Sequence, residues 1–549
     1  MGLNTARRVI ALLATGSLLV APQFGARAVA SPKSASGPVR GGTLHVGFSG
    51  SMVSLDPAQA YSDDWVIMQG TLFNALYQFD RNAQPQLDLA AAPPTISADH
   101  LVWTFKLRQG VQFSNGQELT ADDVAFTLTR VLDPHLKPAV SWGQSADEVF
   151  KGWQDYVAGK AKTVAGIEAL DKYTVRFTLS KPLAVFPSVL AESINQIVPK
   201  SVVTAEGSAN FGNKPIGTGP FTLQSWKKGS QLIFLRNPHY FHAGKPYLDK
   251  IIADTDVSQS VIALKIQKGE YDGVATLNEI APADMRQFQS DPKLATYVHP
   301  APPIQAIWLD LNVHADPLSN LKLRQAIAMA INRNRLVKVI GGNASPANQI
   351  FIALDTQHDP ALDAHPIYPY DPTKAAALVK ASGYTGQPIN ILYATDILSH
   401  SAMAPVIQQD LQQIGLKVTL RGANDTAALA IGAKLTGHQL AFNSWSVDYP
   451  DAYDLYTGVM NCANNADGGP SAAHYCDSKA DSLVENAQSL PLGRDRDAMM
   501  RKAQVRIIQS AAKIPLLFTK SAVLASPRIG GFFVHPLFQW QYENYWIKP

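Results

Sequence analysis

Cysteine is scarce in this chain, with two among 549 residues, Cys462 and Cys476. That excludes a disulfide-dense scaffold. A structural zinc site would need close Cys-x-x-Cys spacing and histidine partners, and His474 is the only imidazole near the pair. Charge of one sign is lacking as well. The formal net charge is +3, and Arg7, Arg8 and Arg27 lie in the first thirty residues, which hold no acid; without these three, 44 of the 47 bases face 44 acids. Such a balance excludes the basic footprint of a nucleic-acid binder. After the first thirty residues no apolar stretch is long enough to span a bilayer. The chain has no G-x-x-x-x-G-K-[ST], no H-E-x-x-H and no G-x-S-x-G. The segment Gly217-Thr218-Gly219-Pro220 begins like a dinucleotide-binding turn, but Thr222 stands where the third glycine belongs and Pro220 removes an N–H. No nucleophile has a base in evident reach, so no enzyme activity is expected. No cofactor or metal site is expected either. Internal repeats of 20–50 residues are absent.

What is present describes an exported globular protein. At 46% hydrophobic and 17% charged, the composition is that of a folded α/β chain, and its length implies two or three lobes. Arg7-Arg8, the thirteen-residue apolar run Val9–Ala21 and the A-x-A site Ala28-Val29-Ala30 read as a cleavable signal peptide over residues 1–30. Residues 31–40 read as a flexible leader. No cysteine lies near the cleavage site, so a lipid anchor is excluded and a freely soluble periplasmic protein is expected. In that oxidising compartment Cys462 and Cys476 are expected to form a disulfide.

The strand and helix signals alternate. Thr43–Phe48, Leu101–Leu107 and Tyr173–Leu179 read as strands, and Phe221–Trp226 with Gln231–Leu235 as a hairpin around Lys228-Gly229. Helical spacing marks Trp65–Tyr77, and Thr120 with Asp122-Asp123 opens a further helix. The clearest topology lies later. Pro388–Ala394, Leu416–Leu420 and Gln439–Trp445 are strands separated by helices over Ser399–Ile414 and Thr426–Leu435. This β-α-β-α-β run predicts a parallel sheet. Ligands in such sheets bind beyond the carboxyl ends of strands, where Trp445 and Asp448 stand.

The stretch there, Ser444–Tyr456, reads SWSVDYPDAYDLY. It holds three acids, four aromatics and no base. Turn formation and helix capping account for some of these acids, above all Asp451 and Asp454. A site for a cation or an amine, walled by aromatic rings, accounts for Asp448.

Several segments together resemble the solute-binding proteins of ABC importers, in the large peptide/nickel-binding family. They are GGTLHVGFSGSMVSLDP (41–57), LVWTFKLRQGVQFSNGQELTADDVAFTLTRVLDP (101–134), PIGTGPFTLQSW (215–226), LKLRQAIAMAINR (321–333) and the SWSVDYPDAYDLY stretch. The similarity covers about Gly41 to Pro549 with its motifs in order. It implies a two-lobed α/β periplasmic-binding-protein fold hinged between lobes. Lobe I takes about 38–305, with an extra domain at about 80–190, and recovers the chain over 518–549; lobe II takes 306–517. The implied function is capture of a peptide-like solute in the cleft and delivery to the membrane permease subunits, as a monomer. The alternatives are a non-peptide solute (an oligosaccharide, opine, haem or metal chelate) and a receptor that presents its ligand to a membrane sensor.

The resemblance carries Asp448 over as the acid that pairs with the ligand's α-amino group. Trp445 would be a pocket wall, with Ser446 and Val447 as neighbouring backbone contacts. Tyr61, Ser62 and Asp63, after the first-strand turn, would face them from lobe I. It also implies a local disulfide after this segment. Residues such as Arg108, Gly110 and Asn115-Gly116 are expected to set the fold. Gly217 and Gly219 are expected to permit unusual backbone angles, and Arg324 to make a local ion pair. One departure stands out. Dipeptide-type members place an Arg near the start of the helix in Asp396–Asp410, where it reads the ligand's carboxylate; here that segment has no Arg or Lys.

Overall fold

A computed structural model describes residues 37–59, 70–136, 148–275, 280–537 and 540–549. The expected signal peptide and Tyr61, Ser62 and Asp63 lie outside these residues. So do residues 65–69 of the expected helix Trp65–Tyr77; in its described part the helix covers 70–72 only, and Tyr77 instead opens the strand Tyr77–Phe79.

Gly41 and Gly42 adopt positive φ and turn the chain into the strand Thr43–Gly47. This strand is the parallel neighbour of both Lys250–Asp254 and Gly273–Val274. The hairpin Phe221–Lys227/Gln231–Arg236 extends the sheet to five strands by pairing antiparallel with Lys250–Asp254. A four-stranded antiparallel sheet is built from Thr95–Ile96, Val102–Lys106, Thr174–Thr178 and Ile167–Asp171. The helix Ala121–Val131 packs on it and buries Val124, Leu128 and Val131. Its first turn is closed by Asp123, whose carboxylate accepts from the Thr120 N–H at 2.9 Å and the Thr120 hydroxyl at 2.8 Å. Near its end, Arg130 pairs with the fully buried Asp56 from the turn after the first strand.

Gly217 and Gly219 hold a different surprise. Neither has positive φ. Both lie so close to the backbone of Leu72 and Phe73 that a Cβ would collide with it. The expectation of unusual angles is therefore corrected: the glycines serve a close approach of two backbones.

The second large sheet has six strands in the order Ala344–Pro346, Lys513–Thr519, Gln305–Leu311, Leu440–Ser446, Ile389–Ala394 and Val418–Ala423. The last three are mutually parallel, as the β-α-β-α-β reading predicts. Their crossovers are the helices Leu398–Gln413 and Asp425–Gly432. Gln305–Leu311 runs antiparallel to its neighbours, so the sheet is mixed. A buried ion pair links it to the following loop: Lys513 Nζ lies 2.9 Å from Asp310 and 2.6 Å from the Ser471 hydroxyl. Arg324 does not behave as a local ion-pair partner. It donates to the carbonyls of Leu318, Ser319 and Ser510, because its buried position offers backbone acceptors at the end of the preceding loop. Between the two large sheets the chain passes through an antiparallel ribbon of Val298–Ala301 with Ser521–Leu524. The result is a two-lobed α/β architecture, each large sheet anchoring one lobe.

Candidate functional site at the end of the Leu440–Ser446 strand

The Leu440–Ser446 strand is paired along its length with Gln305–Leu311, Ser446 facing Gln305 and Trp445 facing Ala306. On its other side, pairing with Ile389–Ala394 spans Leu440 and Ala441. The Val447 N–H continues the first ladder by donating to the Ile304 carbonyl at 2.9 Å. Alternation along an antiparallel ladder then turns the backbone of Ser446 the other way. Val447 itself is wholly buried in the core. Its side chain anchors the loop, while Trp445, Ser446 and Asp448 stay partly exposed.

The loop after Ser446 is braced by its other acids. Asp451 caps the short helix Ala452–Leu455, accepting from the Tyr453 N–H at 3.0 Å. The same carboxylate receives a fork from Arg496, at 2.6 and 2.8 Å, and the Gln357 amide at 3.0 Å. Arg496 is completely buried. Asp454 is also buried, and its Oδ2 atom accepts from the Trp445 indole at 3.1 Å and from the Asp448 N–H at 2.8 Å. Burial, and then the neighbouring Asp448 carboxylate, hold the Asp454 pKa well above the usual carboxylate range. Asp355 is raised in the same way by burial and by Asp451. Asp448, Asp451, Asp454 and Asp355 thus converge on one region. Arg496 joins this group through its ion pair with Asp451.

The other large sheet's side of the molecule approaches here as well. The Tyr449 hydroxyl is pushed well above its ordinary pKa by burial first, then by Asp454 and Glu192. Glu192 belongs to the segment that follows the four-stranded sheet. A second bridge is the ion pair of Lys181 with Glu485, at 3.7 Å.

The adjacent strand end carries acids where a carboxylate reader would need a base. Asp396 follows the Ile389–Ala394 strand and accepts from the Asp425 N–H at 2.8 Å. His400, in the first turn of the next helix, stacks on Phe442, and burial lowers its pKa to about 4. It is therefore neutral at ordinary pH. The cysteines form the expected disulfide, with Cα atoms 4.4 Å apart. The described residues contain no cluster of three or more His, Cys, Asp or Glu side chains arranged to hold a metal ion. No helix among them is long and apolar enough to cross a membrane.

The bracing roles of Asp454 and Arg496 were not legible in the sequence. Asp454 looks like any acid in a helix's first turn, and Arg496 lies 45 positions from its partner. A buried acid three residues from a capping acid was the available hint.

This two-lobed fold is that of a class of periplasmic solute-binding proteins. Residues 84–467 match the family model of bacterial extracellular solute-binding proteins, family 5 (middle region), and the chain belongs to that family. It is 30% identical to di/tripeptide-binding protein 1 of Pseudomonas aeruginosa over 477 residues, covering 83% of this chain and 85% of that one. It is 28% identical to the glutathione-binding protein GsiB of Pectobacterium atrosepticum, covering 96% and 97%. Among solved structures, the periplasmic binding protein DppA of Helicobacter pylori in complex with the peptide STSA superposes with a TM-score of 0.76 at 26% identity, covering 93% of this chain and 99% of that one.

Proposed function

We propose that this chain is the periplasmic capture component of an ABC importer and that its ligand is a peptide with a free amino terminus. The observation that carries the reading is Asp448, held by its backbone beside the Trp445 ring at the carboxyl end of a strand. A ligand ammonium offers such a carboxylate charge-assisted hydrogen bonds. Ser446 presents the backbone to which an extended peptide adds as a strand. Val447 contributes by fixing the loop. The names of the relatives, which bind di/tripeptides and glutathione, support a peptide-like ligand. The acids Asp396 and Asp425 near the adjacent strand end support a ligand whose carboxylate is not gripped there, such as a longer peptide.

In this reading lobe I covers about 38–305 and 518–549, lobe II covers 306–517, and the ribbon Val298–Ala301/Ser521–Leu524 is the hinge. The four-stranded sheet and its helix make up the extra domain at about 80–190. Closure of the lobes on ligand creates the form that docks on the permease. The protein acts as an exported monomer and performs no covalent chemistry. Isothermal titration with free and N-acetylated di- to pentapeptides and with oligosaccharides tests the assignment. Binding of the free peptides alone is expected. Binding of oligosaccharides with no peptide binding would overturn it.

A further inference from the structure

We propose that Asp454 is the positioning residue of this site, fixing the Trp445 ring and the Asp448 backbone to a single carboxylate oxygen so that a ligand's cation meets a preformed wall and charge. The proposal rests on the reading of Asp448 as the ligand's anchor. It does not place Asp454 in contact with ligand.

The geometry is specific. The two donors, at 3.1 and 2.8 Å, come from residues three apart, and both end on Oδ2 of Asp454. The acceptor sits on a helical turn that is itself immobilised. Asp451 caps that turn, and the buried Arg496 fork locks Asp451. From the far side the Trp445 ring is seated on Gly458, where a Cβ would come within 2.6–3.0 Å of three ring carbons. The indole is therefore clamped between an acceptor and a residue without a side chain. A buried carboxyl is a costly way to fill this space, since a Leu would fill it without desolvating a polar group. What a Leu cannot do is hold two donors at once. Preorganising a site in this way raises affinity by lowering the ordering cost of binding.

Asp454 also answers to the charge in front of it. The titratable and charged groups around it are Asp448 and Tyr449 on its own loop, Asp355 from the loop before the Pro360–Ala364 helix, Asp451 with its partner Arg496, and Glu192 facing Tyr449. Burial first, and then the Asp448 carboxylate, raise the Asp454 pKa.

The test compares wild type with Asp454→Asn, which keeps an acceptor and cannot ionise, and Asp454→Leu, which keeps volume without an acceptor. If the Leu variant does not fold, Asp454→Ala replaces it. The probes are alanine di- to pentapeptides, free and N-acetylated. Hydrogen exchange of the Trp445 indole proton and the Asp448 amide is read by NMR, the indole assigned with Trp445→Phe. In wild type both protons are expected to be protected. Asp454→Leu is expected to lose both protections and to weaken free-peptide binding by about tenfold, the scale of one or two ordinary hydrogen bonds. Asp454→Asn is expected to recover most of both. Wild-type protection and affinity in the Leu variant would overturn the proposal while leaving Asp448 as anchor. Equal wild-type binding of free and acetylated peptides would remove that anchor, and the proposal would fall with it.

Discussion

Replacing Arg496 by Met removes a cation from a region that otherwise gathers acids. Arg496 is wholly buried and makes two short hydrogen bonds to Asp451, whose carboxylate also caps the Ala452–Leu455 helix. Met fills much of the volume, so the loss is electrostatic: a buried carboxylate is left without its counter-ion. Breaking such a pair from one side costs about 3–5 kcal/mol. With an unfolding entropy of about 2.1 cal/mol/K per residue over a chain of this length, 1 kcal/mol moves the melting temperature by about 1 °C, so a fall of about 3–5 °C is expected. Calorimetric scans of both proteins measure it. The double variant Arg496→Met/Asp451→Asn is expected to lose less than Arg496→Met alone, because the stranded charge is gone. A deficit below about 1 kcal/mol would refute the reasoning, since that is how an exposed pair behaves.

Two further outcomes follow from the fold. Replacing Cys462 and Cys476 together by Ser should lower stability by about 3 kcal/mol, the chain-entropy value for a loop of this length; urea unfolding with and without reductant measures it, and reductant should leave the Ser variant unchanged. Gly219→Ala should destabilise by at least about 1–3 kcal/mol, because the new Cβ meets the Leu72–Phe73 backbone rather than a movable side chain; a chemical-denaturation midpoint equal to wild type would show that the two segments are not packed as described.

Much of the architecture was legible because it is local. The alternation of strands and helices from Ile389 to Ser446 set the parallel half of the second sheet, and Thr120 with Asp123 marked a helix start. The disulfide followed from two cysteines in an exported chain. What escaped depends on partners distant in sequence. The Gln305–Leu311 strand separates the parallel strands from Lys513–Thr519, a neighbour more than two hundred residues away, and no periodicity encodes that order. Gly217 and Gly219 look like turn residues until Leu72 and Phe73 are placed beside them. Arg324 reads as an ion-pair former on its helix, but the groups it meets are carbonyls, including that of Ser510. In the site, the placement of Asp448 at a strand's carboxyl end was readable from topology. The division of labour among Asp448, Asp451 and Asp454 was not, because three acids spaced by three residues carry the same local signal.

The most direct test of the account is a comparison of wild type with Asp448→Asn in thermal-shift titrations against free and N-acetylated peptides. A ligand at about 100 times its dissociation constant adds about 2.7 kcal/mol of stability, a readily seen shift. The account predicts that free peptides raise the wild-type midpoint, that acetylated ones do not, and that Asp448→Asn abolishes the difference, at about 2–5 kcal/mol for a lost charge-assisted partner. If Asp448→Asn still discriminates between free and acetylated peptides as wild type does, the ligand's amine is read elsewhere and the central claim is contradicted.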